Sequence, residues 1–293
     1  MTTRIAVTQM SCSWDREDNL SRAEALVRAA AADGARIVSL QEKFSMHFFD
    51  FNDWKSDYFA LAEPLDGPSV SHMRALAKEL GVAIPCNIFE RANNAYYNTV
   101  AMIDADGTVL GIYRKTHIPL GPPGCFEKHY TAPGDTGFRV FDTAHGRVGV
   151  GICWDQWFPE AARIMCLMGA DVLFYPTGIG SDCHAHWQTV IRGHAGANLT
   201  PIGVSNRIGT ETGDLGSTTF WGRAFIAGPR GEVLAEGDDR SESFVAADLD
   251  FGENRRIRAD WGVFRDRRPD AYAPLLTMDG AHPALGTMRS VAA

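Results

Sequence analysis

The stretch from Val148 to Arg163, VGVGICWDQWFPEAAR, decides how the chain is read. Val148, Val150 and Ile152 alternate with Gly149 and Gly151. Such an apolar, glycine-spaced run predicts a buried strand with close neighbours. It stops at Cys153. Pro159 and the segment from Glu160 to Met168 then predict a helix, because proline is tolerated in a first helical turn and a glutamate there meets the positive end of the helix dipole. Cys153 therefore falls at a strand end ahead of a helix, where α/β proteins place reacting groups. A buried structural cysteine fits the same pattern, since free cysteine is among the most buried residue types.

On the N-terminal side, Ile5 to Gln9 predicts a short buried strand, and Asp18 to Asp33 an Ala-rich helix with Leu20, Ala23, Val27 and Ala30 on its apolar face. Ser21 and Glu24 have capping-box spacing, and Gly34 closes the helix. Arg36 to Leu40 predicts a second strand, ending in Gln41-Glu42. A helix over Val70 to Leu80 stops at Gly81. Strands follow over Val82 to Glu90, Tyr97 to Asp104 and, past a hairpin turn at Asp106-Gly107, Thr108 to Arg114. Residues 121–124 and 133–137 are Gly/Pro loops. Phe138 to Asp142 and Arg147 to Ile152 form a pair around His145-Gly146.

On the C-terminal side, Asp171 to Tyr175 predicts a strand, His184 to Leu199 a helix and Pro201 to Ser205 a strand. Thr218 to Asp250 is alternating and turn-rich, with a hairpin turn at Pro229-Arg230-Gly231. Strands and helices in this order, with short links and no repeat or linker, predict one α/β layered domain over residues 1–293. From about residue 251 the expectation is an irregular, Arg-rich C-terminal arm.

Composition narrows the function. The chain of 293 residues is 45% hydrophobic and 22% charged, as in ordinary globular proteins. Its net charge of −8, with no basic run, argues against nucleic acid and weakly favours a neutral or cationic small substrate. Cys12, Cys86, Cys125, Cys153, Cys166 and Cys183 are scattered and form no C-x-x-C, so reduced thiols in a cytoplasmic protein are expected. There is no apolar N-terminal signal, and no run is long enough to span a membrane. His184, His186 and His194 lack the helix-face and carboxylate spacing of a metal site, so no metal is expected.

Glu42 follows an apolar strand, Lys115 ends the strand-like run LGIYRK, and Cys153 ends VGVGIC. A carboxylate, a cation and a thiol at strand ends are what thiol acyl transfer requires. The thiol is mostly protonated at neutral pH, so a carboxylate must take its proton or a cation must favour the thiolate. A lysine and a backbone N–H can then hold the developing oxyanion. Strand-end glutamate and lysine are usually surface residues, and spacing alone does not bring these three together.

The chain resembles the nitrilase, or carbon–nitrogen hydrolase, superfamily from about Arg4 to Tyr272. Its signatures occur in order: Gln41-Glu42, then Tyr113-Arg114-Lys115-Thr116-His117, then Gly151-Ile152-Cys153-Trp154-Asp155 with Pro159-Glu160. The resemblance implies a four-layer α-β-β-α sandwich, with Glu42 as general base, Lys115 as oxyanion stabiliser and Cys153 as nucleophile. Glu127, in CFEKHY, would orient Lys115, and the backbone N–H of Trp154 would complete the oxyanion site. The similarity is strongest to the N-carbamoylputrescine amidase branch, through residues 153–163, FYPT (174–177), IGS (179–181), HAGAN (194–198), SNRIG (205–209) and WGVFRDRRPD (261–270). Asp155 stands where true nitrilases usually carry glutamate, which favours amide or carbamoyl hydrolysis.

Three departures fall in regions that shape the family's pocket mouth. Leu120 replaces an acidic residue, the loop after Ser181 is short, and Lys43 to Phe49 lacks the usual small and acidic pattern. Phe48, Phe49 and Leu120 are expected to line an apolar mouth, with Trp154, Thr177 and Asp182 as further substrate contacts. Asp182 is the candidate partner for a cationic substrate end. On this basis N-carbamoylputrescine is expected to be a poor substrate and a less charged ureido or amide compound a better one. The reading is a thiol amidohydrolase without cofactor or metal, acting on a small molecule, with no nucleic-acid or membrane partner, and oligomeric as family members commonly are. A nitrilase and a catalytically idle ligand-binding homologue are the alternatives.

Overall fold

The computed structural model describes residues 2–121, 124–180 and 183–281. The chain divides into two compact units, residues 1–255 and 256–293.

In the first unit the strands are β1 (Thr2–Met10), β2 (Ile37–Ser39), β3 (Ile84–Ala92), β4 (Ala95–Ile103), β5 (Val109–Arg114), β6 (Val140–Thr143), β7 (Gly146–Val150), β8 (Val172–Pro176), β9 (Ile202–Gly213), β10 (Gly216–Trp221), β11 (Phe225–Ala227), β12 (Val233–Glu236) and β13 (Ser243–Asp250). The helices are α1 (Arg16–Ala32), α2 (Pro68–Leu80), the short α3 (Glu127–Tyr130), α4 (Pro159–Leu167) and α5 (His184–Asn198). The helix α6 (Phe251–Trp261) follows β13 directly. The expected irregular arm is thus helical at its start, and its charged sequence hid that; in the second unit it continues as 3-10 turns at Pro269–Ala271 and Ala273–Leu276.

Ten strands form one sheet, in which β12, β11, β9, β8, β7 and β6 run side by side and β1 joins β9, β2 and β13. β3, β4 and β5 make an antiparallel sheet of their own. The two sheets and the helix pairs α1/α2 and α4/α5 make the four-layer α-β-β-α sandwich. α1 and α2 bury Leu20, Ala23, Val27, Val70, Met73 and Leu76 in one core with β1 to β4.

β7, β8 and β9 are mutually parallel and joined through α4 and α5. β1 is parallel to both β2 and β9. The carboxyl ends of β2, β7 and β8 therefore share one edge, and they lead into Glu42, Cys153 and Thr177. Glycines in β7 and just past its end let this layer close: a Cβ on Gly149 would lie 2.6 Å from Leu173, and one on Gly151 2.4 Å from the Tyr175 ring.

Two local expectations are corrected. The N-cap of α1 is Asp15, whose carboxylate accepts from the N–H groups of Glu17 and Asp18 at 3.0 and 3.1 Å. Ser21 and Glu24 lie inside the helix, where Glu24 pairs with Arg28 and His72 instead. β9 runs to Gly213, well past Ser205, and turns back as β10. Polar Asn206 and Arg207 broke the apolar pattern there, yet both are fully buried strand residues.

Candidate active site

Cys153 sits where β7 gives way to a 3-10 turn, Cys153–Trp157, that leads into α4. Its φ of +43° is left-handed, a strained conformation for a residue with a side chain. Asp155 holds the turn: its Oδ2 accepts from the Ile152 N–H at 2.9 Å and from the Tyr113 hydroxyl at 2.6 Å. Its Oδ1 accepts from the His117 N–H at 3.0 Å. One buried carboxylate thus ties the cysteine turn to both sides of Lys115. The Trp154 N–H lies in the first turn, where the helix supplies no carbonyl for it.

Lys115, just past β5, extends a fully buried ammonium to Glu42 Oε1 at 2.9 Å and Glu127 Oε2 at 2.6 Å. Asn98 on β4 donates to both carboxylates, each at 2.7 Å. The second oxygen of Glu42, Oε2, is buried and makes no hydrogen bond among the described residues. The Cys153 thiol feels Glu42, Lys115 and Glu127 directly and faces the Gly178 N–H. The structure therefore brings Glu42, Lys115, Glu127 and Cys153 together from four separate parts of the sequence.

Burial, followed by the charge of Glu42, pushes the Cys153 thiol well above its ordinary value, against the pull of Lys115. Burial alone would lower Lys115, but Glu127 and Glu42 overturn this and keep it an ammonium. Burial pushes the Glu127 carboxyl up, and Lys115 and Lys43 more than reverse it, so Glu127 stays ionised.

The remaining expected contacts separate. Trp154 is 40% exposed beside the site. Phe48 is buried against Gly178 and the Arg207 guanidinium, 4.8 Å from its ring, so it walls the interior rather than the mouth. Phe49 is a core residue: it packs on Phe89, Tyr58 and Tyr130 and does not reach the mouth. The Thr177 hydroxyl donates to the Tyr175 carbonyl, and its own carbonyl accepts from the Glu42 N–H at 3.3 Å. Thr177 thus serves through its backbone, by fixing Glu42. Leu120 is 62% exposed. Asp182 lies outside the described residues. Among the described residues no group of histidine, cysteine and carboxylate side chains is arranged to hold a metal ion.

Four residues of this site, Lys43, Asp50, Arg207 and Glu211, have roles that the sequence does not foretell. Lys43 and Asp50, both buried, form an ion pair beside Glu127. Arg207, paired with Glu211 at 2.5 Å, donates to the carbonyls of Glu42, Lys43 and Met46 and so clamps the Glu42 loop. The visible clue was charge inside aromatic or apolar runs, KFSMHFFDF and IGVSNRIG.

The site and the sandwich around it define a hydrolase of carbon–nitrogen bonds. The sequence pattern of the carbon-nitrogen hydrolase family matches residues 4–259, and the chain belongs to that family. It is 53% identical to an N-carbamoylputrescine amidase of Arabidopsis thaliana over 94% of this chain and 96% of that protein. It is 45% identical to a citrullinase of Francisella tularensis, over 92% and 96%. The crystal structure of a carbon–nitrogen hydrolase from Helicobacter pylori G27 superposes with a TM-score of 0.88 at 35% identity, covering 95% of this chain and 99% of that one. Among the described residues no helix is long and apolar enough to cross a membrane.

Proposed function

We propose that the protein hydrolyses the terminal carbamoyl group of a small N-carbamoyl amine through a thioester-like intermediate on Cys153. The observation that carries this reading is the buried, unpartnered Oε2 of Glu42 beside the Cys153 thiol, with Lys115 fixed on the other oxygen. Glu42 takes the thiol proton as sulfur attacks the ureido carbon. The oxyanion forms between the Lys115 ammonium and the Trp154 N–H, donors held in place before the reaction. Collapse expels the amine, to which Glu42 returns the proton, and leaves an S-carbamoyl cysteine. Water, deprotonated by Glu42, then releases carbamic acid, which decays to carbon dioxide and ammonia.

The substrate class rests on the relatives named for N-carbamoylputrescine and citrulline, both ureido compounds. The case against a cationic substrate weakens at Leu120. An unpaired charge is costly when buried, but this position is mostly exposed and an ammonium beside it stays hydrated. We therefore take N-carbamoylputrescine into the proposed class.

The test is ammonia release from N-carbamoylputrescine, citrulline, a neutral N-alkylurea, simple amides and a nitrile. The reading requires a ureido compound to have the highest kcat/KM. A nitrile or a simple amide at the top would replace it. Cys153→Ala, inactive on every compound, serves as the blank.

A further inference from the structure

Besides Cys153 and the Arg207–Glu211 pair, five ionisable side chains meet at the site: the carboxylates of Glu42, Asp50 and Glu127 and the ammoniums of Lys43 and Lys115, all buried. Counted at their formal charges, they leave one negative charge in excess. The pairing shows where it resides. Lys43 is bound to Asp50 and stands 3.8 Å from Glu127 Oε1. Lys115 contacts Glu127 more closely than Glu42, at 2.6 against 2.9 Å. Glu127 thus faces two cations, while Glu42 shares one and keeps a bare oxygen.

We propose that Lys43 and Asp50 are positioning residues, a counter-charge pair that holds Glu127 on Lys115 and so leaves Glu42 as the carboxylate that takes the Cys153 proton. The backbone is built to deliver Lys43 inward. Lys43 has a left-handed φ of +48°, its N–H is fixed at 2.6 Å by Asn87 Oδ1, and Arg207 binds its carbonyl. The Lys43 ammonium lies over the faces of Phe48, Phe49 and Phe89 at 5.2, 5.9 and 5.7 Å, which screen it from water. Asp50 comes from the neighbouring 3-10 turn, Phe49–Phe51. Burial pushes the Asp50 carboxyl above its ordinary value, and Lys43 offsets this only in part.

A pair that acts electrostatically has a signature that a structural pair lacks, because its two halves act with opposite sign. Glu42, Lys115 and Glu127 act on the Cys153 thiol itself, while Lys43, Asp50 and Arg207, the last paired with the buried Glu211, act on Glu42. They titrate together, so the observable is the acid limb of the whole cluster. Removing the cation in Lys43→Met favours proton uptake and moves that limb to higher pH. Removing the anion in Asp50→Asn moves it to lower pH. Nearby charges shift ionisation by about one unit or more, so each variant should move the limb by about one pH unit. The double variant restores the net charge, and its limb should return to the wild-type position.

The inference rests on Glu42 as the base for Cys153, so the readout must work without knowledge of the substrate. The full-length protein is treated with iodoacetamide across a pH series, and the alkylation rate of the Cys153 peptide is followed by mass spectrometry. Glu42→Gln is the control and should lose the acid limb. If it does and Lys43→Met and Asp50→Asn move the limb in opposite directions, the proposal stands. Shifts in the same direction, or no shift in either, overturn it and leave the reading of Glu42 intact. A limb that survives in Glu42→Gln overturns both. Should Lys43→Met fail to fold, Asp50→Asn and the double variant decide by the same criterion.

Discussion

The molecule has two buried regions built from opposite materials. Beneath α1 and α2 the interior is apolar: Val27, Val70, Met73 and Leu76 pack against β1 to β4. At the shared strand edge the interior is ionic, with Glu42, Lys43, Asp50, Lys115, Glu127, Arg207 and Glu211 all nearly or wholly out of water. An apolar core loses stability gradually, in proportion to the volume removed. An ionic one holds only as a whole, because deleting one partner strands a charge in a poor solvent. The first region should therefore govern stability and spare chemistry, and the second should do the reverse where the charge count is kept.

Cys153→Ala should break the chemistry most. Loss of the nucleophile removes activity by at least about a thousandfold, and the urea midpoint should stay near wild type, since little volume is lost. Retention of more than about 1% of kcat would exclude a covalent role for Cys153. Glu42→Gln should follow, with kcat lowered by about 10²–10⁴ and the fold preserved, since an amide oxygen still accepts from Lys115.

Lys115→Ala tests the ionic region as a structure. It leaves Glu42 and Glu127 facing each other without their common cation, and should destabilise by about 3–5 kcal/mol as well as abolish turnover. Met73→Ala is the apolar counterpart, at about 2–5 kcal/mol. Its folded fraction should keep wild-type kcat/KM, so urea melts and kinetics together separate the two regions. A catalytic defect in Met73→Ala would show that the layers are coupled.

A smaller effect concerns pH. Glu127 is held below its ordinary value near 4.5, so its contribution to stability is complete above that pH and is lost as the pH falls through its lower folded value. Glu127→Gln should flatten the acid side of a stability–pH curve, at the expense of stability near neutrality. An unchanged acid slope would mean that Glu127 is protonated in the native protein.

The same contrast explains what the sequence revealed. The apolar layers announce themselves: Leu20, Ala23, Val27 and Ala30 repeat at helical spacing, and the glycines of Val148 to Ile152 mark a crowded strand. Residue type and strand-end position single out Glu42, Lys115 and Cys153, but only the motif resemblance joins them and adds Glu127, because nothing in spacing states that four distant segments meet. Lys43, Asp50 and Arg207 escaped because charged residues read as surface. Arg207 even cut the predicted length of β9, though its burial on that strand is what clamps the Glu42 loop. Phe49 misleads the other way: an aromatic residue near a site motif reads as pocket wall, while its neighbours Phe89, Tyr58 and Tyr130 make it core.

The smallest effect is expected at Leu120, and it sharpens the boundary between the site and its rim. From sequence, leucine in place of an acidic residue suggested a lost partner for a substrate ammonium. That argument holds only if the ammonium is desolvated there, since the penalty for an unpaired charge comes from leaving water. Leu120 is 62% exposed, so a carboxylate at this position would meet a hydrated cation in a screened setting. Exposed ion pairs contribute at most about 1 kcal/mol, or roughly fivefold in an equilibrium constant. Leu120→Asp should therefore lower KM for N-carbamoylputrescine by less than about fivefold, leave kcat unchanged, and leave neutral ureas unaffected. Steady-state kinetics on the cationic and neutral compounds, at low and high salt, make the comparison. A tenfold or larger gain that persists in high salt would show that position 120 is buried when substrate is bound, and would move the boundary of the site outward to include it.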